Sequence, residues 1–265
     1  MNIIRFIPAI IFALIILTIA WKYKFLSRSG LVAVFILAVL IFGFSGWKWT
    51  TPIVTFFILS SLLSKIENDN KSKIHKSFDK SSKRDFVQVL SNGGIGGLLL
   101  IVNQIYQKEI LFFLYAGTIA AVCADTWATE IGTLFKSKTI NILNLREVGQ
   151  GVSGAVSIYG LVGAFLGAVS VSIASIFWFE FDKIFFFLII VTAGFIGSLI
   201  DSFLGTAVQA QYKCDVCSEV TERKFHSSKK TNLISGLKWM NNDTVNFFTS
   251  ISGSALTLIL LRIFK

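Results

Sequence analysis

Residues 110–134 read ILFFLYAGTIAAVCADTWATEIGTL. The stretch is long and apolar enough to cross a bilayer, which takes about 20 residues, yet Asp125 and Glu130 interrupt it. A carboxylate in hydrocarbon costs about 2.5 to 3.5 kcal/mol on insertion scales, so such residues line a polar site rather than face lipid. A second apolar stretch, residues 184–208, carries Asp201 in a similar phrase, Ile200-Asp201-Ser202-Phe203 against Ala124-Asp125-Thr126-Trp127. A related phrase, Asn242-Asp243-Thr244-Val245-Asn246, opens the last apolar stretch.

The same hydropathy extends outward over the whole chain. A mean hydropathy of +0.70, 54% hydrophobic residues and only 15% charged residues exceed what one soluble core of 265 residues needs. The expected fold is all-α: a polytopic transmembrane helical bundle of about eight spans, at residues 3–20, 31–46, 51–64, 86–105, 110–134, 152–178, 184–208 and 244–261. Nineteen of the 25 Lys and Arg fall in four alternate connections, Lys22 to Arg28, Lys65 to Arg84, Lys136 to Arg146 and Lys213 to Lys238. Positive charge is retained on the cytoplasmic side. The expectation is therefore an integral, multi-pass membrane protein with both termini outside and its polar site facing the cytoplasm. The net charge of +10 needs no nucleic acid to explain it. Trp47, Trp49 and Trp178 mark the outer interface in this reading, and Trp21 and Trp239 the inner one. Three cysteines, with Cys123 inside a span, give no disulfide framework.

Three regions follow: N-terminal spans at 1–64 without acidic residues, a basic and flexible cytoplasmic linker at 65–85, and a motif-bearing catalytic region at 86–265. In the last region Gly93 and Gly97, Gly163 and Gly167, and Gly194 and Gly197 recur at spacings that let helices approach closely. Gly117 leading to Asp125-Thr126 resembles Gly194 leading to Asp201-Ser202, an internal parallel repeat that would set the two aspartates at one depth.

That depth is about 10 to 14 Å from the loop end, at roughly 1.5 Å per residue. Asp125, Thr129 and Thr133 stack along one helix face, with Thr126 and Glu130 adjacent; Asp201, Gly205 and Gln209 stack along the other. Asn92-Gly93-Gly94 and Gly149 to Gly154, which includes Ser153, fall where loops enter spans, and free backbone N–H groups there would hold an anion. Carboxylates and hydroxyls on facing helices suit Mg²⁺, which bridges to substrate phosphates. The plainer alternative is that the aspartates hydrogen-bond neighbouring helices. Cys214, Cys217 and His226 resemble part of a Zn²⁺ site whose fourth soft ligand is missing, with Ser228 in its place. Phosphate-loop, nucleophile-elbow and zinc-protease motifs are absent.

At these residues the chain resembles an integral membrane family of formerly unknown function that includes vertebrate transmembrane protein 19 and the plastid and cyanobacterial phytyl-phosphate kinases. The matching phrases are Ser91 to Gly94, Ala124 to Gly132, Gly151 to Ser153, Gly197 to Gly205 and Gly236 to Asn246. The resemblance implies phosphoryl transfer from a nucleoside triphosphate, CTP in the phytyl case, to a prenyl monophosphate held in the membrane lipid. It assigns Asp125, Asp201 and Asp243 to catalysis and Mg²⁺, and Asn92, Gly93, Gly94 and Ser153 to the phosphates. Thr126, Thr129, Glu130, Ser202, Gln209, Asn242 and Asn246 would complete the substrate shell. A transporter or lipid flippase, or a CTP-dependent lipid cytidylyltransferase, is the alternative.

Overall fold

The computed structural model describes residues 6–75, 78–79, 83–226 and 228–264. Among them the helices are α1 (Phe6–Lys22), α2 (Arg28–Leu63), α3 (Asp69–His75), α4 (Phe86–Tyr106), α5 (Glu109–Leu134), α6 (Ile158–Ile176), α7 (Lys183–Ala207) and α8 (Asn242–Phe264). Six of them, α2 and α4 to α8, are long and apolar enough to cross a membrane, and α1 is a shorter apolar helix. The protein is a polytopic helical membrane protein.

A straight α2 of 36 residues would span about 54 Å, yet both of its ends meet Arg84. The Leu26 backbone bridges to Arg84 at one end, and the Arg84 guanidinium donates to Ser61 Oγ at 3.0 Å at the other. The break is Gly46, at φ 59° and ψ −151°, a backbone region that essentially only glycine enters. Thr50 Oγ1 satisfies its carbonyl at 2.8 Å. So α2 is two arms folded back on one another, corresponding to the two short spans read at 31–46 and 51–64.

The four basic connections converge at one end of the bundle. Asn68 Nδ2 donates to the Leu134 carbonyl at 2.7 Å, Arg223 Nε to the Phe78 carbonyl at 2.6 Å, and Ser153 Oγ to Glu222 at 2.9 Å. At the opposite end Gln104 Nε2 donates to Ser45 Oγ at 3.2 Å and Trp178 Nε1 to Thr51 Oγ1 at 2.7 Å. The connections also form small antiparallel sheets that hydropathy does not reveal. Thr139–Asn141 lies between Glu147–Val148 and Ala155–Val156, and Gln211–Lys213 between Val220–Thr221 and Asn232–Ser235.

Helix α5 is the axis. Of its most apolar window 72% is buried, against 28 to 44% in the other long helices. Its neighbours reach it through glycines: a Cβ on Gly167 of α6 would lie 2.7 Å from the Cys123 carbonyl oxygen, and one on Gly194 of α7 2.8 Å from Ala120 Cβ. Without side chains at these crossings the backbones approach to contact.

Two sequence expectations differ from the structure. The segment read as a flexible linker carries α3, and its Lys71 is fully buried because an ion pair with Glu130 compensates it. Trp49, expected at the interface, is 3% exposed, packed 4.7 Å from the Tyr115 ring while its carbonyl accepts from Tyr115 Oη at 2.6 Å. One hydrophobic core runs from Ala20 to Leu261, across the N-terminal spans and the motif-bearing helices alike.

Candidate functional site

A polar cavity of about 260 Å³ opens at the loop end of the bundle. Asp125 reaches it from α5, Asp201 from α7 and Asp243 from the first turn of α8, and Asn92, Thr126, Thr129, Glu130, Ser153, Ser202, Gln209, Asn242 and Asn246 also line it. Residues read from five separate stretches of sequence are thus brought into one chamber.

The Asp125 and Asp201 carboxyls interact directly across the α5–α7 contact. This is the equal depth that the repeat implied. Two carboxylates in contact repel unless a cation or a shared proton neutralises them. Thr249 Oγ1 of α8 donates to Asp201 Oδ1 at 2.6 Å and fixes its orientation. Sequence reading passed over Thr249, although Asn242, Asn246 and Thr249 follow i, i+4, i+7 and so share a face of α8. The side-chain oxygens of Asn92 and Asn246 are buried with no hydrogen-bond partner among the described residues. They leave unused acceptors in the chamber wall, which is unusual in a folded interior.

Gly93 and Gly94 correct the anion-site reading. α4 begins at Phe86 behind a capping box, in which Asp85 accepts from Gln88 N at 2.9 Å and Gln88 Oε1 accepts from Asp85 N at 3.0 Å. The free N–H groups of a helix belong to its first turn, so positions 93 and 94 already spend theirs within α4. Gly93 instead faces Leu37 and Ile53, and neither glycine lines the polar chamber. The second glycine cluster seats its loop on α7: Gly154 is at φ 74°, Thr206 Oγ1 donates to its carbonyl at 3.3 Å, and a Cβ there would collide with the Ser202 carbonyl.

Glu130 faces the chamber but is already paired. Lys71 Nζ lies 2.6 Å from its carboxylate and donates also to the Ile66 carbonyl at 2.7 Å, while Ser64 Oγ donates to the same carboxylate. The pair ties the basic connection to α5. Trp127, two residues from Asp125 in sequence, turns away to donate from Nε1 to Ser60 Oγ at 3.0 Å.

Three wall residues escaped the sequence reading. Glu222 accepts from Ser153 Oγ at 2.9 Å and from Gln209 Nε2 at 2.8 Å, so the two predicted residues meet through a carboxylate in the cysteine-bearing loop. Burial pushes the Glu222 carboxyl above the usual range, partly offset by the Ser153 hydrogen bond. His75 lines the chamber, and burial there lowers its pKa. Arg84 stands at the inner wall.

Apart from the chamber, the ligand atoms of Cys214, Cys217 and His226 all lie within 4.8 Å of one another, with Cys217 Sγ 3.5 Å from His226 Nδ1. A tetrahedral zinc, with Zn–S about 2.3 Å and Zn–N about 2.0 Å, separates its ligands by roughly 3.5 to 3.8 Å, so this trio could hold one. The Cys217 thiol also donates to Glu219 Oε2 at 3.8 Å.

A bundle of membrane helices around a carboxylate-lined chamber defines the class, and the comparison with known families defines the rest. Residues 11–254 match the family described as integral membrane protein DUF92, and the chain belongs to that family. Protein PGR of Arabidopsis thaliana is 30% identical over 96% of each chain. An uncharacterized membrane protein of Methanocaldococcus jannaschii is 29% identical over 77% of this chain and 83% of its own. Protein VTE6, chloroplastic, of Arabidopsis thaliana is 21% identical over 89% of this chain and 65% of its own. No solved structure matches.

Two outcomes are expected. Removing one partner of a buried ion pair costs about 3 to 5 kcal/mol, so Lys71→Met or Glu130→Gln alone lowers the melting temperature in detergent sharply, while the double variant recovers most of the loss. For Glu222, the folded carboxyl holds its proton more tightly than the unfolded chain does. Its contribution to stability is therefore greatest below the unfolded pKa and falls as pH rises through the raised folded value. Melting curves across that window should show the wild type losing ground to Glu222→Gln as pH rises; parallel curves would remove Glu222 as the cause.

Proposed function

We propose that the protein is a membrane-embedded prenyl-phosphate kinase, moving a phosphoryl group from a nucleoside triphosphate, CTP in the favoured case, to a prenyl monophosphate such as phytyl or geranylgeranyl phosphate. The observation that carries this reading is the chamber itself: Asp125, Asp201 and Asp243 meet in a polar cavity inside a lipid-facing bundle. Its acceptor is a molecule with its tail in the bilayer and its charge at the protein. The distant likeness to VTE6 and the membership of DUF92 support the kinase class.

The donor set is all oxygen, from carboxylates, hydroxyls and the unpartnered carbonyls of Asn92 and Asn246, which suits Mg²⁺ over softer metals. Asp125, Asp201 and Asp243 would hold it, and when bound it would supply neutralisation of the phosphate charge. Thr249 holds Asp201 in place, and Asn92 and Asn246 would offer their Nδ2 donors to the phosphates. An acceptor phosphate oxygen attacks the γ-phosphorus, the bond from that phosphorus to the bridging oxygen breaks, and nucleoside diphosphate leaves. A phosphate monoester has its second pKa near about 6, so the nucleophile is already ionised at neutral pH and no strong base is required. Positioning and charge stabilisation are the main demands of phosphoryl transfer. Glu130, paired with Lys71, serves the wall rather than the metal.

The test incubates the purified protein in nanodiscs with Mg²⁺, CTP or ATP and a panel of prenyl monophosphates, reading lipid products by mass spectrometry. A prenyl diphosphate with equimolar nucleoside diphosphate is expected, with at least about a 100-fold loss in Asp125→Asn and Asp201→Asn. A CDP-lipid would move the assignment to nucleotidyl transfer, and no product would move it to transport. We propose further that Cys214, Cys217 and His226 hold zinc. About one zinc per chain should be found by elemental analysis, and it should be lost in Cys217→Ser; a metal-free wild type purified without chelator overturns this.

A further inference from the structure

A second, mainly apolar cavity lies beside the polar one. It runs between α1, the two arms of α2 and α4, walled by side chains such as Phe12, Leu37, Ile41, Ile53, Phe57 and Val89. On the two arms its walls extend from Val34 to Ile41 and from Thr50 to Phe57, about 10 Å along each helix. The polar side chains that reach it are Thr50, whose hydroxyl is committed to the Gly46 carbonyl, Arg84 and Asn92. Arg84 and Asn92 also line the carboxylate chamber. The two cavities therefore meet at one cation and one amide.

Both junction residues are equipped for a phosphate. Asn92 is 7% exposed and its side-chain oxygen accepts no hydrogen bond among the described residues, so its amide is not fixed through that atom, and its Nδ2 group is the donor that would meet a phosphate. The Arg84 guanidinium donates to Ser61 Oγ at 3.0 Å and lies 5.5 Å over the Phe56 ring, but no carboxylate forms an ion pair with it among the described residues. Its backbone is pinned, since Arg84 N donates to the Phe25 carbonyl at 3.2 Å and its own carbonyl accepts from Ser27 N at 3.0 Å. A guanidinium held this way offers paired donors to a phosphate. Gly93, one residue from Asn92, keeps the apolar cavity open: a Cβ there would sit 3.0 Å from Leu37 Cδ1 and 3.6 Å from Ile53 Cδ1.

We infer that this apolar cavity, of about 70 Å³, seats the head-proximal isoprene portion of a single-chain lipid phosphate, whose head is received by Arg84 and Asn92 at the mouth of the carboxylate chamber while the rest of the tail runs on into the bilayer. The inference rests on the kinase reading for the identity of the acceptor. It adds the location of the tail's first part and a selection rule: a cavity of about 70 Å³ beside the head takes one chain and has no room for the glycerol and second chain of a diacyl lipid phosphate.

The probe is geranylgeranyl phosphate carrying a diazirine on its first isoprene unit, photolysed with the protein in nanodiscs and mapped by peptide mass spectrometry. Labelling is read without turnover, so its outcome is separate from that of the kinase assay. Labels are expected in the peptides of α1, α2 and α4, and labelling should fall about ten-fold in Gly93→Phe and in Leu37→Trp. It should persist in Ile184→Phe, at a position 77% exposed on α7. Excess unlabelled geranylgeranyl phosphate should compete, while equimolar dioleoyl phosphatidate should not. Labels confined to other helices, or absent, overturn the inference, and effective competition by phosphatidate overturns the single-chain rule. Labelling of these helices without any diphosphate product would retain the tail site and reject the kinase.

Discussion

Holding Asp125 and Asp201 in contact inside an apolar bundle is the constraint on which the rest of the structure depends. Two carboxylates on neighbouring helices meet only if the helix backbones are close, and close backbones need small residues at the crossing. Gly194 and Gly197 of α7 bear on Ala120 and Ala121, one turn from Asp125, and Gly253 of α8 bears on Ala121 as well. The carboxyl contact is thus set by glycines that never touch the chamber. Thr249 is then positioned by the same α8 approach, which is why a hydroxyl from a third helix reaches Asp201.

Around this centre the loop end supplies compensation that hydrocarbon cannot. Lys71 is drawn fully inside by Glu130, and Glu222 gathers Ser153 and Gln209 into one wall. Burying an ion pair is close to neutral energetically when its geometry is good, but it fixes which groups face which. The basic connections therefore build part of the site. They wall the chamber's mouth at the loop end and leave the aspartates as its inward-facing charge.

Much of this was legible in the sequence because it is local. Hydropathy marked the apolar segments, including the division of α2, and the phrases around Asp125, Asp201 and Asp243 marked the chamber. Equal depth for two of the aspartates followed from counting residues along a helix. What escaped is non-local. Lys71 lies 59 residues from Glu130, Ser153 lies 69 from Glu222 and Arg84 lies 23 from Ser61, and no periodicity links such pairs. Gly93 and Gly94 misled for a different reason. A glycine pair beside an asparagine looks like an anion loop, but a capping box at Asp85 had already started the helix and committed those N–H groups. Thr249 was readable from helical spacing, since it falls on the face that Asn242 and Asn246 define.

The far end of the bundle bears on the choice between enzyme and carrier. A route for alternating access needs polar groups toward both faces, whereas among the described residues the buried charged and amide side chains lie at the loop end, and hydroxyls beyond the aspartates, such as Thr118, Ser172 and Thr257, donate to carbonyls of their own helices. Beyond the aspartates α5 continues through Phe112, Phe113, Tyr115 and Ile119, each at most 5% exposed. Phe113 stacks on Phe186 at 4.0 Å and packs against Phe179 at 4.6 Å, while Trp49 closes on Tyr115 at 4.7 Å. Aromatic rings so arranged make a well-packed apolar plug. Opening a polar path through it would separate α5 from α2 and α7, and the α7 contact is the one that holds the aspartates together. Transport by this route would therefore dismantle the site that transport would have to use. A chamber open on one side and sealed on the other imposes no such conflict on chemistry carried out at the loop end.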